Sequence, residues 1–572
     1  MFRVPRLLIA VSALLPCALP AASVEFDLRH TVAGQPLLLD SLRYPKAGAE
    51  TFSVTQLSYL ISGVAFERED GSWFQSAHDA AWIDAGKRRT TFRIDDVPAG
   101  AYRAVRFRIG LESKLNHSDP ASHPPGHALN PAVNNLHWSW QGGYIFLALE
   151  GHYRVGKERE GYLLHFARTE NRTPINLPAK ISLESAARVA LDFDLAALFG
   201  APRPIEFARD GASTHSREGD ALAAMIKANL PGAFRVRGVA TPKALADAAP
   251  KKQPLFLPAD PKPFPFKMAG TFPMPQLPLD NPLIQARVEL GEAIFKDTKL
   301  SRNGSKSCAS CHHTDKAFTD GLALSIGVEG RVGTRNSMPL FNLAWKDKFF
   351  WDGRAPTLRA QVLMPIESHN ELDESLDSVV AKFAADPDYS ARFEKAFGAP
   401  EVTAEKIALA LENFLLTLTS YDSKFDRAMA GKAELNAKEK RGFELFMTEY
   451  EPRAGQYGAD CFHCHGGALF SDHGFHNNGL KALYESDGAR FSTPSLRNVG
   501  LTAPYMHDGR FSTLGEVVAH YSGGMRRSET LDPNLAKHPK TGLGLSTQDQ
   551  AALVAFLNSL TDPKYLPPQL AK

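Results

Sequence analysis

Two short stretches decide the fold of the C-terminal half of this chain: residues 308–312 read CASCH, and residues 461–465 read CFHCH. In each stretch two thiols stand three residues apart, and a histidine directly follows the second thiol. This arrangement is typical of covalent c-type haem attachment, with the histidine as an iron ligand. The sequence therefore predicts two haems, attached through Cys308, Cys311 and His312 and through Cys461, Cys464 and His465.

The remaining cysteine and the N-terminus indicate the compartment. The chain has five cysteines, and the fifth, Cys17, lies in an N-terminal segment that reads as a leader. Residues 1–23 have a positively charged start, an apolar core and a small-residue exit, which is the pattern of a signal peptide. Export together with c-type haem predicts a periplasmic protein.

Composition excludes several classes of protein. The 572 residues carry 65 Lys and Arg against 63 Asp and Glu, a net charge of +2, and no basic block stands out. We therefore expect no nucleic-acid partner. No stretch after the leader approaches the ~20 apolar residues of a membrane helix, so we expect no membrane span.

Residue patterns divide the mature chain into two halves. Residues 24–240 hold alternating apolar and polar segments punctuated by Gly and Pro, which predicts an antiparallel β-sandwich-like domain. Residues 241–280 are rich in Pro and predict an extended linker. Helical spacing of apolar residues then predicts an all-α domain with two cytochrome c-like lobes, 281–455 and 456–566. Thr403 and Ser546 are predicted helix N-caps.

The helical half resembles the bacterial di-haem cytochrome c peroxidase/MauG superfamily. The resemblance rests on residues 288–312, 349–361 and 492–521, and the run CFHCHGGALFSDHGFHNNGL at 461–480 is most similar to the MbnH branch. It implies two covalent haems that use hydrogen peroxide.

The resemblance also implies roles around the first haem. His312 would ligate the peroxide-binding iron, and Gln361 and Glu371 would form the distal pair. Such a carboxylate can take a proton from bound peroxide and return it to the leaving oxygen. Glu367 is the nearby competitor. Related peroxidases close this iron with a histidine where this chain has Val328, so we expect an open iron position.

Further roles follow from the same resemblance. Trp351 would relay electrons between the haems, and Tyr521 would be the sixth ligand of the second iron, with Met506 as the alternative. A tyrosine ligand lowers the reduction potential, whereas a methionine raises it. The resemblance also implies an inter-haem calcium held by Asn336, Thr502 and Pro504.

The N-terminal half resembles MbnP, the exported copper-binding partner of MbnH, on residues 29–40, 57–73 and 136–151. In that pairing the enzyme converts a partner tryptophan to kynurenine, which joins histidines around copper. Here the two partners would be fused, and the β domain would be the enzyme's own protein substrate.

Several tryptophans and histidines of the N-terminal half are candidates for the modified residue and for the copper ligands. Trp82 ranks first and Trp140 second, while core packing explains Trp138 and Trp140. Nine histidines form the pool of ligands: His30, His78, His117, His123, His127, His137, His152, His165 and His215. Strand-borne His30, His78 and His152 are favoured, and the loop cluster His117, His123 and His127 is the alternative.

The leading function is thus peroxide-driven oxidation of a tryptophan in the β domain, through a high-valent state shared by both haems, to build a copper site. The alternative is a peroxidase that reduces hydrogen peroxide with electrons from a small periplasmic donor. One MauG feature is missing, because Ala459 replaces the surface tryptophan that passes oxidising equivalents to the substrate. Tyr450, Tyr457 and Trp345 are candidates for that route.

Overall fold

A computed structural model describes residues 21–138, 142–242, 255–480 and 490–566. Most of the predicted leader and Trp140 lie outside the described residues. The first strand begins at Ala21, within the segment predicted as the leader, and Ala21 pairs with Pro98.

Sixteen strands build the N-terminal domain. Numbered β1 to β16, they are Ala21–Val32, Gln35–Pro36, Tyr44–Pro45, Thr51–Phe52, Gln56–Arg68, Trp73–Gln75, Ala80–Asp84, Thr91–Pro98, Gly100–Ile109, His137–Trp138, Gly143–Val155, Glu158–Ala167, Thr173–Leu183, Ala186–Asp194, Ser213–Thr214 and Phe234–Ala240.

These strands form two sheets. The smaller has five strands, with β1 between β14 and β2 and with β8 also paired to β1. The larger has eleven and follows the order β13-β9-β5-β11-β12-β15, with β10 paired to β11. Most pairs are antiparallel, as predicted, but β1 with β14 and β12 with β15 are parallel.

Side-chain alternation explains why these segments form strands. In β13 every second residue is buried, from Thr173 to Leu183, because successive side chains of a strand point to opposite faces. In β11 a run of buried residues is continuous, which is typical of a strand covered on both faces. The inward faces of both sheets share one apolar core that includes Phe26, Phe66 and Phe107.

The helices are numbered α1 to α17. They are Ser113–Asn116, Pro131–Asn134, Leu195–Gly200, Phe207–Asp210, Ala221–Ala233, Gln285–Lys296, Leu358–Gln361, Met364–Glu367, Leu376–Ala384, Pro387–Phe397, Ala404–Leu416, Lys424–Met429, Ala437–Met447, Phe462–His465, Leu514–Ala519, Pro533–Ala536 and Thr547–Ser559. Four two-residue strands, β17 to β20, lie in the helical half: Tyr450–Glu451, Gln456–Tyr457, Phe475–His476 and Phe491–Ser492.

Both predicted N-caps are confirmed. The Thr403 side chain accepts the backbone N–H of Lys406 at the start of α11, and the Ser546 side chain accepts that of Asp549 at the start of α17. Each cap satisfies a backbone donor that the helix itself leaves without a partner.

The same helix contact occurs in both haem lobes. In the first lobe a Cβ on Gly291 of α6 would lie 2.0 Å from the carbonyl oxygen of Ala410 in α11. In the second lobe, a Cβ on Gly442 of α13 would lie 2.0 Å from the carbonyl oxygen of Ala552 in α17. Only glycine permits so close an approach of two helices, so this contact fixes the frame of each lobe. Within the described residues no helix is long and apolar enough to cross a membrane.

The β domain packs directly on the second haem lobe. The Nε2 of His152 lies 2.7 Å from the carbonyl oxygen of Leu531. A Cβ added to Gly161 would lie 2.1 Å from the carbonyl oxygen of Pro533. Asn534 donates its side-chain N–H to Glu150 over 3.3 Å. Strands β11 and β12 therefore face the segment around α16.

Candidate functional site

The first attachment motif is ready to hold a haem. Neither Cys308 nor Cys311 takes part in a disulfide, so both sulfurs are available for bonds to a haem. The Nδ1 of His312 lies 2.9 Å from the carbonyl oxygen of Phe318 and donates to it in the tautomer that leaves Nε2 for iron. Burial lowers the pKa of His312, so the ring is neutral, as an iron ligand must be.

A cavity of about 380 Å³ opens beside this motif. Cys308, Cys311 and His312 line it together with Trp351, Gln361 and Glu371, so the structure brings these predicted residues to one place. Glu371 is half-buried, and burial raises the pKa of its carboxyl group. Glu367, the competitor, is exposed.

The loop that carries Val328 holds Glu371 in position. Val328 is buried, and its backbone N–H donates to the carbonyl oxygen of Glu371 over 2.9 Å. A Cβ on Gly327 would lie 2.2 Å from the carbonyl oxygen of Asn370. The loop of Val328 therefore packs against the backbone of the predicted acid–base residue.

Trp351 joins the two haem lobes. Its indole N–H donates to the carbonyl oxygen of Asn336 over 2.9 Å, and its own carbonyl oxygen accepts the backbone N–H of Ser492 over 2.7 Å. The side chain is buried at 8% exposure while it lines the first cavity. Trp351 therefore lies between segments of both lobes, and its relay role stays a prediction.

The second attachment motif coincides with α14. The Nδ1 of His465 lies 3.2 Å from the carbonyl oxygen of Phe470, so this histidine is oriented in the same way as His312. Neither Cys461 nor Cys464 takes part in a disulfide. The residues fit a second covalent haem.

Both candidates for the sixth ligand of the second haem share one neighbour. The Asn478 amide lies 3.4 Å from the Tyr521 hydroxyl oxygen and 3.5 Å from the Met506 sulfur. Tyr521 lies in a π-helical turn, His520–Gly524, at the end of α15. Burial raises the pKa of Tyr521 to about 12, with smaller contributions from Cys464 and Cys461. Tyr521 therefore lies near the second attachment motif, and its ligand role stays a prediction.

The predicted calcium residues occupy neighbouring loops. The Asn336 backbone N–H donates to the carbonyl oxygen of His507, which joins its loop to the segment that holds Thr502 and Pro504. The Asn336 side chain, however, donates to the carbonyl oxygen of Leu322 over 2.9 Å. The calcium site remains a prediction.

Three histidines meet where the β domain contacts the second haem lobe. His165 lies on β12 and His215 directly follows β15, while His463 lies inside the second attachment motif. One ring nitrogen of each lies within 4.8 Å of those of the other two. The side chains of all three are at most 6% exposed.

Acidic residues surround this cluster. Glu449 lies 2.7 Å from His215 and 3.0 Å from His463, and Asp460 lies 3.0 Å from His463. Burial acts to lower the pKa of His463, but Glu449 and Asp460 raise it to about 9. Burial lowers the pKa of His215 to about 4. Lys537 bonds both carboxylates and compensates part of their charge.

Trp138 lies beside the histidine cluster. Its ring centroid is 5.6 Å from that of His215 and 6.2 Å from that of His165, and the residue is 7% exposed. A cavity of about 70 Å³ is lined by Trp138, His165 and His463, among other residues. The β domain thus presents a tryptophan and two histidines directly to the second haem motif.

The predicted copper residues lie apart from one another and have other neighbours. His30 lies 3.0 Å from the Tyr59 hydroxyl, His152 contacts Leu531, and His78 stacks on Phe92. Trp82 donates its indole N–H to Ser58 over 2.8 Å. Within the described residues, none of these three histidines belongs to a group of three converging metal-ligating side chains.

The alternative loop cluster is only partly assembled. His123 and His127 stack at 4.9 Å, and His117 instead contacts the carbonyl oxygen of Ser113. Three residues are predicted candidates for passing oxidising equivalents to the substrate. The ring centroid of Tyr450 lies 5.3 Å from that of His538, Tyr457 is exposed, and the indole N–H of Trp345 donates to the carbonyl oxygen of Pro273.

Sequence reasoning missed the cluster for an identifiable reason. His165 and His215 belonged to the pool of nine histidines, but no local pattern marks them. His463 occupies one of the two variable positions of the attachment motif. Its placement between the two cysteines was the one usable signal, since a residue there must face away from the haem.

Comparison with known proteins assigns the family. Three family models match: MbnP over residues 21–216, di-haem cytochrome c peroxidase over 285–434 and cytochrome c over 440–561. The methylamine utilization protein MauG of Methylophilus methylotrophus is 34% identical over 307 residues, which cover 52% of this chain and 87% of that protein. The chain belongs to the di-haem cytochrome c peroxidase/MauG family. An MbnP domain is fused to its N-terminal side.

Other relatives of this di-haem peroxidase match over shorter lengths. MauG of Methylorubrum extorquens is 41% identical over 207 residues, or 36% of this chain and 56% of that protein. A solved structure described as a MauG-like protein associated with microbial copper homeostasis is 31% identical, with a TM-score of 0.46, over 57% of this chain and 100% of that one.

Proposed function

We propose that this di-haem peroxidase is exported to the periplasm and uses hydrogen peroxide to oxidise Trp138 of its own MbnP domain to kynurenine. The observation that carries the proposal is the position of Trp138, beside His165 and His215 and against the second haem attachment motif.

Peroxide would be activated in the first cavity. The haems supply the redox chemistry when bound. Glu371 accepts a proton from peroxide and returns it to the departing oxygen as water forms. Its half-buried carboxylate, whose pKa burial raises, is poised to exchange that proton, and Gln361 lies in the same cavity to orient the peroxide.

Oxidising equivalents would then move towards the β domain. Trp351 lies between the lobes and connects the first cavity to segments of the second lobe. A path from the second motif to Trp138 would pass through His463 and His215, whose ring centroids lie 5.2 Å apart. No surface tryptophan is needed, which accounts for Ala459.

The surroundings favour Trp138 over Trp82 as the oxidised residue. Lys87 and Arg89 lie over the Trp82 ring at 5.6 and 5.3 Å, and two nearby cations oppose removal of an electron from that ring. Trp138 has imidazoles beside it, and Glu150 lines the same cavity.

The stoichiometry of the reaction is fixed by its atoms and electrons. Two molecules of hydrogen peroxide would accept four electrons and four protons and become four molecules of water. Two water molecules at Trp138 would supply the oxygen atoms at C2 and C3 of the indole as the bond between these carbons breaks, so that two molecules of water remain in total. The product, N-formylkynurenine, then consumes one water and releases formate to give kynurenine. Overall the residue gains one oxygen and loses one carbon.

Copper would bind beside the new kynurenine. Imidazole is a good copper ligand, and the aniline nitrogen of kynurenine adds another nitrogen donor. His165 and His215 lie next to Trp138, and the adjacent small cavity of about 70 Å³ has room for an ion. The proposed role is therefore the maturation of a copper site.

Peptide mass mapping of the haem-loaded protein tests the proposal. After two equivalents of peroxide we expect the kynurenine mass change on the peptide with Trp138, and no such change in Trp138→Phe. Trp82→Phe is the matched control and should be modified like the wild type. If only Trp82 changed in mass, Trp82 rather than Trp138 would be the modified residue. If all tryptophans stayed intact while peroxide was consumed with an added electron donor, the alternative function as a peroxidase would be correct.

A further inference from the structure

His463 occupies a particular position in the second attachment motif. Cys461, Cys464 and His465 are spaced three and four residues apart, so they share one face of the turn, which the haem occupies. Residue 463 points away from that face. The structure shows its side chain, 3% exposed, packed against the β domain, with ring centroids 5.5 Å from His165 and 5.2 Å from His215.

The donor atoms converge on one point. His165, His215 and His463 each offer a ring nitrogen, and these nitrogens all lie within 4.8 Å of one another. A metal ion about 2 Å from each nitrogen would fit among them after small side-chain movements. His463 also lines the cavity of about 70 Å³ beside Trp138.

We propose that His463 is a copper ligand, so that the copper site of the MbnP domain is completed by the haem lobe and the bound ion bridges both domains. The proposal rests on the proposed function above, and it adds a ligand from the enzyme half to a site otherwise built by the β domain.

The surrounding charges suit a cation at this position. Glu449 contacts both His215 and His463, and Asp460 contacts His463. Their negative charge would balance the charge of a bound copper ion.

The coordination number of copper tests the proposal without any variant. Full-length haem-loaded protein is treated with peroxide, loaded with copper and freed of excess metal, and X-ray absorption at the copper edge then counts the imidazole ligands. We expect three imidazoles in the wild type. Two imidazoles would overturn the proposal while leaving the proposed function intact, whereas failure to bind copper would overturn both.

A variant pair gives a second measurement. His463→Gln should retain both haems and lower copper affinity by at least the roughly 10- to 100-fold that loss of a supporting group costs. His538→Gln is the matched control, because His538 bonds Asp460 in the same cluster but is not among the three converging histidines, and it should bind copper like the wild type. Equal affinity of His463→Gln and the wild type would overturn the proposal.

Discussion

At the scale of single residues, the chemistry depends on side chains whose environments differ sharply over short distances. Glu371 and Glu367 are four residues apart, yet only Glu371 lines the first cavity, while Glu367 faces solvent. The backbone of Glu371 is held by Val328. Of these two carboxyl groups, that of Glu371 therefore has the position proposed for catalysis, and that of Glu367 is solvated.

Glu371→Gln should slow the reaction of the first haem with peroxide by roughly 10²- to 10⁴-fold, because the amide cannot accept the proton. Stopped-flow absorption measures this rate. Glu367→Gln should react like the wild type. Because burial raises the pKa of Glu371, the wild-type rate should fall on acidification at a higher pH than an exposed glutamate would give, and Glu371→Gln should lack this fall.

Equal slowing by the two substitutions would contradict the assignment, since an exposed carboxylate has no route to the cavity. A wild-type rate that does not change with acidification would contradict the base role of Glu371 specifically.

Tyr521 and Met506 can be distinguished by their effect on the second haem. Tyr521→Phe should raise its reduction potential by about 60 mV or more, a tenfold change in the one-electron equilibrium, because an anionic oxygen ligand stabilises the oxidised iron. Spectroelectrochemical titration measures the potential. Met506→Leu is the matched control, since Met506 shares Asn478 as neighbour. A larger shift in Met506→Leu would make methionine the ligand.

At the scale of elements, the site is made by the line-up of β10, β11, β12 and β15 along one side of the large sheet. These neighbouring strands carry Trp138, Glu150, His165 and the residue before His215. The segment around α16 presses on β12 at Gly161, where the backbones nearly touch. The docking of these elements, rather than any one of them, puts Trp138 against the second haem motif.

Gly161→Val should disturb that docking, because its side chain would collide with the backbone of Pro533. Such overpacking typically costs 1–3 kcal/mol. We expect kynurenine formation to fall severalfold while the peroxide reaction of the first haem is unchanged. Gly238→Val on β16 is the control, because a Cβ there meets nothing within 4 Å. Normal kynurenine yield in Gly161→Val would show that this contact does not position the substrate.

At the scale of the whole molecule, fusion turns a reaction between two proteins into one within a chain. Intramolecular placement replaces the encounter of two partners and raises the effective concentration of the substrate. Two buried contacts, Glu150 with Asn534 and His215 with Glu449, hold the β half and the helical half in a fixed relative position.

Because Trp138 and the second haem motif belong to one chain, the yield of kynurenine per peroxide should not change on dilution of the protein. Mass mapping at protein concentrations a hundredfold apart measures this yield. A yield that falls in proportion to concentration would show that the enzyme acts on a neighbouring molecule, and mixing Trp138→Phe with Glu371→Gln would then restore modification between chains.

The sequence by itself determined the two haem motifs, the helix caps at Thr403 and Ser546 and the division into a β half and a helical half. These features are local: a haem needs its cysteines and histidine within five residues, and a cap needs only the next turn of helix. The family resemblance also pointed to Trp351, Gln361 and Glu371, which line one cavity, and their roles stay predictions.

Only the tertiary structure decided which tryptophan and which histidines meet. His165, His215 and His463 come from two domains and are far apart in the chain, so no periodicity or spacing links them. His30 and His152, which looked equally suitable on their strands, point to other partners. A site assembled across a domain interface depends on docking, and docking depends on the shape and burial of whole surfaces.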